Sequence, residues 1–415
     1  MFAARKIDGA AFAAVLFAIA LQINLTFMAS GDYPGLRISA ADFLLPLAAL
    51  FIGVIFLRRR GAWPEWEKPF RWLAPILMSA VMIFAFVNGY FVQGEISRWA
   101  LTNKLAGWFA LMGYFGAGAW LAANHREALP YFIRAFVLFA IAAMAWDIAI
   151  QVFKMFDIEI SAYGPWEAAR GFMGNRNAYG FLLVAAAALV TTQGFKKSGP
   201  EFYIFWLLFP AVFIFNGSRT LWVCTAFLLA IFVYLDWRKS LKIILPCAAI
   251  GLSLFFLVFS AEQQKNFIGA PLTGMDVLVE QQDDAQGYGH AERMDIIKGA
   301  LVMFRERPIQ GAGLGSALYF QRQESGKVLD VIDCTPLWIL SEMGIMGFLV
   351  FAGSYVLMAA ALLKKAKDDT FARSVLIILL CFGIFSLFHE LLYTRFLWFM
   401  LGLALVRPRQ DVQAI

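Results

Sequence analysis

Four arginines, a histidine and three carboxylates stand in polar joints, or at the mouths of otherwise apolar stretches, where they could do chemistry. Arg176 lies in "RGFMGNRNAYG" (170–180) between Asn175 and Asn177, and Ser218 with Arg219 forms the short joint of "FNGSRTLW" (215–222). Arg293 sits in "HAERMDIIKGALVMFRERPIQGAGLG" (290–315), and His389, Glu390, Tyr393 and Arg395 crowd "FHELLYTRFLW" (388–398). Asp333 and Glu342 belong to "DCTPLWILSEMG" (333–344). Guanidinium forks match phosphate oxygens, and a helix N-terminus adds free N–H groups and partial positive charge. A carboxylate or imidazole can take a proton from a hydroxyl. The set suits a phosphate-bearing amphiphile attacked by an activated hydroxyl. Each residue also has a plainer reading: the arginines as interfacial anchors, His389 as a hydrogen-bonded structural residue, Asp333 as a helix cap.

The elements that must position these groups are set by composition. The chain has 415 residues, 61% of them hydrophobic and 15% charged, which is too apolar for a soluble fold. Forty-two Phe and thirteen Trp fit a lipid-facing surface with aromatic belts. Apolar runs of about 20 residues recur along the chain, each long enough for a hydrocarbon core of about 30 Å. An all-α, polytopic membrane protein is expected. The first apolar run follows Arg5 and Lys6, lacks a small-residue cleavage site, and is read as a span.

Twelve spans are predicted, near 10–29, 39–57, 72–91, 104–123, 131–153, 177–193, 202–215, 220–236, 242–260, 335–362, 374–391 and 394–406. With the N-terminus cytoplasmic, that side collects 20 of the 35 basic residues, against 8 in the short joints of the outer side. Short-loop lysines and arginines set orientation, so both termini are expected to be cytoplasmic. The polar groups above then fall on the outer face. The chain divides into 1–153 (first five spans), 154–260 (spans six to nine, with arginine motifs), 261–334 (a large outer loop) and 335–415 (the last three spans).

Within the outer loop, residues 290–306 read as an amphipathic helix with Ile297, Leu301 and Phe304 as its apolar stripe and Met294 beside them. It is expected to lie on the membrane, with a flexible loop through Gly311, Gly313 and Gly315 behind it. Those glycines lack the preceding strand that a nucleotide-binding loop requires. Cys224, Cys247, Cys334 and Cys381 show no metal-ligand spacing and are read as packing residues. No metal, cofactor or nucleic acid is expected.

At these motifs the chain resembles the O-antigen ligase and polymerase superfamily of bacterial envelopes. The resemblance rests on "GNRNAYG", "NGSRT", "RMDIIKGALVMFRERPIQGAGLG", "TPLWILSEMGIMG" and "HELLYTRFLWFMLGLAL", in family order over about residues 170–406. It implies glycan transfer on the periplasmic face of the inner membrane, without metal or nucleotide sugar. The implied donor is a saccharide on undecaprenyl pyrophosphate. The implied acceptor is a sugar hydroxyl of lipid A–core for a ligase, or another lipid-linked glycan for a polymerase.

The resemblance also implies roles. Arg219 corresponds to the arginine of the family's Ser-Arg turn and Arg293 to the one opening the outer amphipathic helix. Arg176, Asn177, Ser218 and Arg395 join them as pyrophosphate and glycan contacts. Where many members carry a histidine before the "LWxLxExG" helix, this chain reads "IDCTP", so Asp333 stands in that place. Three readings follow: Asp333 is the base, His389 supplies it from the neighbouring turn, or Asp333 only caps a helix. Glu342 is a further catalytic candidate. The competing class is a transporter or flippase of a lipid-linked saccharide, for which Asp147 is the clearest charge deep in a span. Ligase and polymerase are not separable on these motifs, and they are silent on oligomeric state.

Overall fold

The computed structural model describes residues 9–27, 36–57, 73–154, 168–194, 199–258, 290–325 and 332–407. In chain order these form α1 (Gly9–Ala20), β1 (Asn24–Phe27), β2 (Leu36–Ser39), α2 (Ala40–Leu57), α3 (Leu73–Gln93), α4 (Gly107–Asn124) and α5 (Leu129–Lys154). Then follow α6 (Arg176–Gly194), α7 (Pro200–Asn216), α8 (Arg219–Lys239), α9 (Leu245–Val258), α10 (His290–Glu306) and α11 (Ser316–Ser325). The last three are α12 (Thr335–Lys365), α13 (Thr370–Ser386) and α14 (Arg395–Leu405). π-helical turns at Ala100–Ala106 and Ser240–Ile244 lead into α4 and α9. Five helical stretches are long and apolar enough to cross a membrane, and five more are shorter apolar helices. The chain is a multi-pass, helical membrane protein.

Every expected span overlaps a helix, but the first was drawn too long. α1 stops at Ala20, and "NLTF" pairs antiparallel with "LRIS" in a two-stranded ribbon instead of continuing the helix. α2 is started by a reciprocal cap. The Ala41 amide donates to Ser39 Oγ (3.3 Å) and the Ser39 amide to Asp42 Oδ2 (2.7 Å). Between α8 and α9 the chain turns where Asp236 leaves helical geometry (φ −156°, ψ 83°). Gly251 of α9 then lies against Leu207 of α7 and Phe255 against Phe215, so α9 runs parallel to α7, as alternation through a bilayer requires.

The core is built on two helices buried all round, α6 and α14. The alanine run Ala185–Ala188 lets neighbours approach α6 closely. α14 and α4 interlock through reciprocal glycines: a Cβ on Gly118 would strike Phe399 O, and one on Gly402 would strike Phe115 O. Phe181 of α6 stacks on Phe396 of α14 at 5.3 Å.

The glycine run after α10 is a packed strand of irregular backbone, not the flexible loop expected. Gly311 to Ser316 are buried between α3 and α12. α12 breaks at Gly344 (φ 68°), and the run mends the break. Ala312 and Gly313 amides donate to the Ser341 and Glu342 carbonyls (2.9 and 2.8 Å), while the Ile345 amide donates to Pro308 O (2.8 Å). On the other side Leu314 donates to Ala85 O (2.8 Å), and the Asn88 side chain donates to Gly311 O (2.9 Å). Non-helical backbone among membrane helices persists only when its polar groups are satisfied this way.

The apolar stripe expected on α10 is left largely exposed, and a second apolar arc beside it is buried. Ile296, Ala300 and Met303 are buried towards the protein, whereas Met294, Ile297 and Leu301 are exposed. The helix carries two adjacent apolar arcs, and periodicity alone does not say which one meets α12.

Candidate functional site

Four of the motif stretches meet at one end of the bundle. Asn175 caps α6, its Oδ1 accepting the amides of Asn177 (2.8 Å) and Ala178 (3.2 Å). Ser218 caps α8 after Gly217 turns the chain in the left-handed region, with the Leu221 amide donating to Ser218 Oγ at 3.5 Å. Arg176 and Arg219 are therefore the first residues of two neighbouring helices, and both side chains are exposed. The helices are joined directly: Ser218 Oγ donates to Asn177 Oδ1 (2.9 Å), and Asn216 Nδ2 donates to Arg176 O (2.8 Å) and Ala169 O (2.9 Å).

His389 completes the junction from the joint between α13 and α14. Its Nδ1 is 3.2 Å from Asn177 Nδ2, and its Nε2 is 2.9 Å from Thr220 Oγ1. Ser218 fixes the Asn177 amide so that its nitrogen faces the ring. That amide then donates to Nδ1, which puts the ring proton on Nε2, where it is donated to Thr220. Thr335 Oγ1 donates to His389 O at 3.0 Å, tying the start of α12 to the same point. Asp333 lies two residues before Thr335 and is half-buried. The N-cap of α12 is Cys334, without a side-chain capping bond, and Pro336 occupies the first turn.

The other predicted residues are deployed differently. Glu342 is 2% exposed, and its carboxylate is ringed by donors: Gly315 and Ala317 amides at 3.1 and 3.2 Å and Trp338 Nε1 at 2.8 Å. It thereby caps α11 from across the fold. Arg395 makes a two-pronged pair with Asp42, Nε to Oδ1 at 2.9 Å and Nη2 to Oδ2 at 2.7 Å, and Tyr114 Oη donates to the same carboxylate at 2.6 Å. Arg293 lies on α10, and its side chain is outside the described residues. Asp147 is buried in α5, where Oδ1 accepts the Gly171 amide (3.3 Å) and pins the segment leading into α6.

The structure adds a buried ion pair that sequence reading missed. Lys104, in the π-helical turn before α4, is paired with Glu390. Its ammonium lies 4.2 Å from the Trp338 ring centroid, 5.1 Å from Tyr393 and 5.8 Å from Trp99. Tyr393 Oη donates to Lys104 O at 2.9 Å. Burial, with Glu390 and Glu342 nearby, pushes the Tyr393 phenol well above its ordinary range. Burial also pulls the Arg170 guanidinium below its usual value. The sequence signal for Lys104 was a lone lysine in "WALTNKLAGW" between two tryptophans.

A cavity of about 980 Å³ opens at the opposite end of the helices, lined by Arg126, Arg134, Glu201, Lys364, Asp369 and Arg407 among others, so it is separate from the junction around His389. Among the described residues no group of three or more His, Cys, Asp or Glu could hold a metal ion.

Fold and junction together define a multi-pass helical membrane protein with a polar, arginine-bearing cluster at one end. Residues 203–352 match the model of the family described as O-antigen ligase, which supports the O-antigen ligase and polymerase superfamily the motifs resemble. The match spans "NGSRT", the glycine run and "TPLWILSEMG", while "GNRNAYG" and "HELLYTR" lie outside it. No curated protein matches the chain. The family implies ligase- or polymerase-type glycan transfer on lipid-linked substrates.

Proposed function

We propose that the protein transfers a saccharide from undecaprenyl pyrophosphate to a sugar hydroxyl at the periplasmic face of the inner membrane. Twelve spans and cytoplasmic termini are part of that proposal. The observation that carries it is the junction of α6 and α8. Two exposed arginines open adjacent helices, and Asn177, Ser218 and His389 hold those helix starts in register. Two guanidinium forks beside two helix N-termini suit a pyrophosphate, whose charge grows as the sugar–oxygen bond breaks.

In this reading Arg176 and Arg219 grip the pyrophosphate, and Arg293 approaches from the outer loop. Asp333 accepts the proton of the acceptor hydroxyl as that oxygen bonds to the anomeric carbon and the lipid pyrophosphate leaves with its electron pair. His389 organises the cluster, because both its ring nitrogens are engaged. Arg395 and Glu342 support the site through Asp42 and through the N-terminus of α11. The acceptor is lipid A–core for a ligase, or a second lipid-linked glycan for a polymerase.

The test is a glycan gel from a deletion strain complemented with wild type, Asp333→Asn or Arg219→Ala at matched membrane levels. Asparagine keeps the shape of aspartate but takes no proton. Loss of long-chain glycan with both variants is expected. Unchanged banding with Arg219→Ala would sink the pyrophosphate grip, and unchanged banding with Asp333→Asn would remove Asp333 as the base.

A further inference from the structure

We infer that Lys104 is a positioning residue of this transfer site, acting through Glu390 on the turn that carries His389. The inference rests on the reading of the junction given above. In the turn between α13 and α14, Leu387, Phe388 and His389 still bond back to the end of α13 (Ile384 O at 3.3 Å, Phe385 O at 3.0 and 2.8 Å), but beyond His389 the backbone bonds are few: Leu391 to His389 O (3.1 Å) and Thr394 to Leu391 O (3.0 Å). Its shape therefore depends on side chains. On one side the His389 ring is held by Asn177 and Thr220, and its carbonyl by Thr335. On the other, the next residue, Glu390, is drawn inwards to Lys104, with the two side chains only 9% and 4% exposed.

The pair is an expensive way to fill space. Two desolvated charges lose their hydration, and apolar side chains of the same volume often stabilise a fold as well or better. What a methionine and a leucine would not do is fix the direction of the turn. Lys104 is suited to that task. Its π-helical turn is anchored to the same joint by Tyr393 Oη, and Trp338, Tyr393 and Trp99 wall the ammonium. Local π-helical geometry is often retained where a side chain has to be aimed. The nearby Glu342 carboxylate, occupied by the start of α11, adds attraction from the other flank. A line of charges thus runs from the start of α11 through Glu342 and Lys104 to Glu390, the residue next to His389.

The experiment uses the full chain in proteoliposomes, with turnover measured on a lipid-linked glycan donor extracted from host membranes. Binding is measured with sugar-free undecaprenyl pyrophosphate. The double variant Lys104→Met/Glu390→Leu removes both charges, so neither is left unpaired. Expected are unfolding at or above the wild-type temperature, unchanged binding of the pyrophosphate, and turnover lowered about tenfold or more. Wild-type turnover in the folded double variant overturns the inference.

If the double variant does not fold, Tyr393→Phe decides, since it removes only the bond to the Lys104 carbonyl. A several-fold drop in kcat at constant donor KM supports positioning, and no drop overturns it. His389→Gln is run alongside. Full activity there refutes the junction itself as the site, whereas a slow His389→Gln beside a fast double variant refutes only the role of Lys104.

Discussion

Arg219 and Arg395 each open a helix, yet their removal should have opposite consequences. Arg219 is exposed at the start of α8, so Arg219→Ala should change stability by no more than about 0.5 kcal/mol. If its fork holds a phosphate oxygen, the alanine variant loses a charge-assisted hydrogen bond of about 1.5–3 kcal/mol. At 1.36 kcal/mol per tenfold, that is roughly a ten- to 150-fold loss of transfer. Arg395 is spent on Asp42, with side chains 16% and 20% exposed. Removing one partner of a buried pair costs about 3–5 kcal/mol, and residual solvent puts this one near the lower end, about 3 kcal/mol. Arg395→Ala should therefore unfold at a clearly lower temperature, with activity falling in step with folded protein. The assay pairs tryptophan-fluorescence melting with glycan transfer, both on purified variants in identical nanodiscs. The reasoning is refuted if Arg219→Ala melts as early as Arg395→Ala, or if it is folded and transfers at the wild-type rate.

A Cβ on Gly313 (φ 90°) would collide with the backbone of Gly89, so Gly313→Ala should lose at least about 1–3 kcal/mol to backbone strain alone. Gly299→Ala, in α10 with open space at its Cβ, should be stabilising by about 0.5–1 kcal/mol in the same melting assay. Thr220→Val would leave the His389 Nε2 proton without its acceptor, a loss of about 1–3 kcal/mol visible in melting, together with slower transfer. Above pH about 10 an unfolded tyrosine ionises while half-buried Tyr393, beside Glu390 and Glu342, stays protonated. The unfolded state then binds fewer protons, so stability should fall as pH rises beyond that point. Tyr393→Phe should flatten part of the decline in a pH series of melting temperatures.

Length and hydropathy made the helices legible, because a span has to be apolar whatever its neighbours are. Boundaries were legible only where a polar residue does local work, as Ser39 does at α2 or Asn175 at α6. The early end of α1 was not, since "QINLTF" is apolar enough to continue a span and becomes a strand only because "LRIS" pairs with it. In the site, Asn177, Ser218 and His389 stood out as polar groups in short joints. Lys104 did not, because its partner Glu390 is 286 residues away and an isolated lysine near a helix end reads as an interfacial anchor. The glycine run was legible as unusual backbone. What it packs against, Gly89 on one side and Gly344 on the other, exists only in three dimensions.

Polar side chains at the His389 end fall into two groups, and the division follows from membrane physics. Irregular backbone gathers there: the π-helical turn before α4, the glycine run, the break in α12 and the joint before α14. Each leaves peptide groups or buried charges that lipid cannot satisfy. Glu342, Asn88 and Lys104 are used up in satisfying them. Arg176 and Arg219 are placed differently. They sit on regular helix starts already capped by Asn175 and Ser218, and they remain exposed. An exposed guanidinium beside a capped, well-formed helix start lies where a ligand's phosphate would meet the free N–H groups. The first group fixes the geometry, and the second is where a lipid pyrophosphate is to be sought.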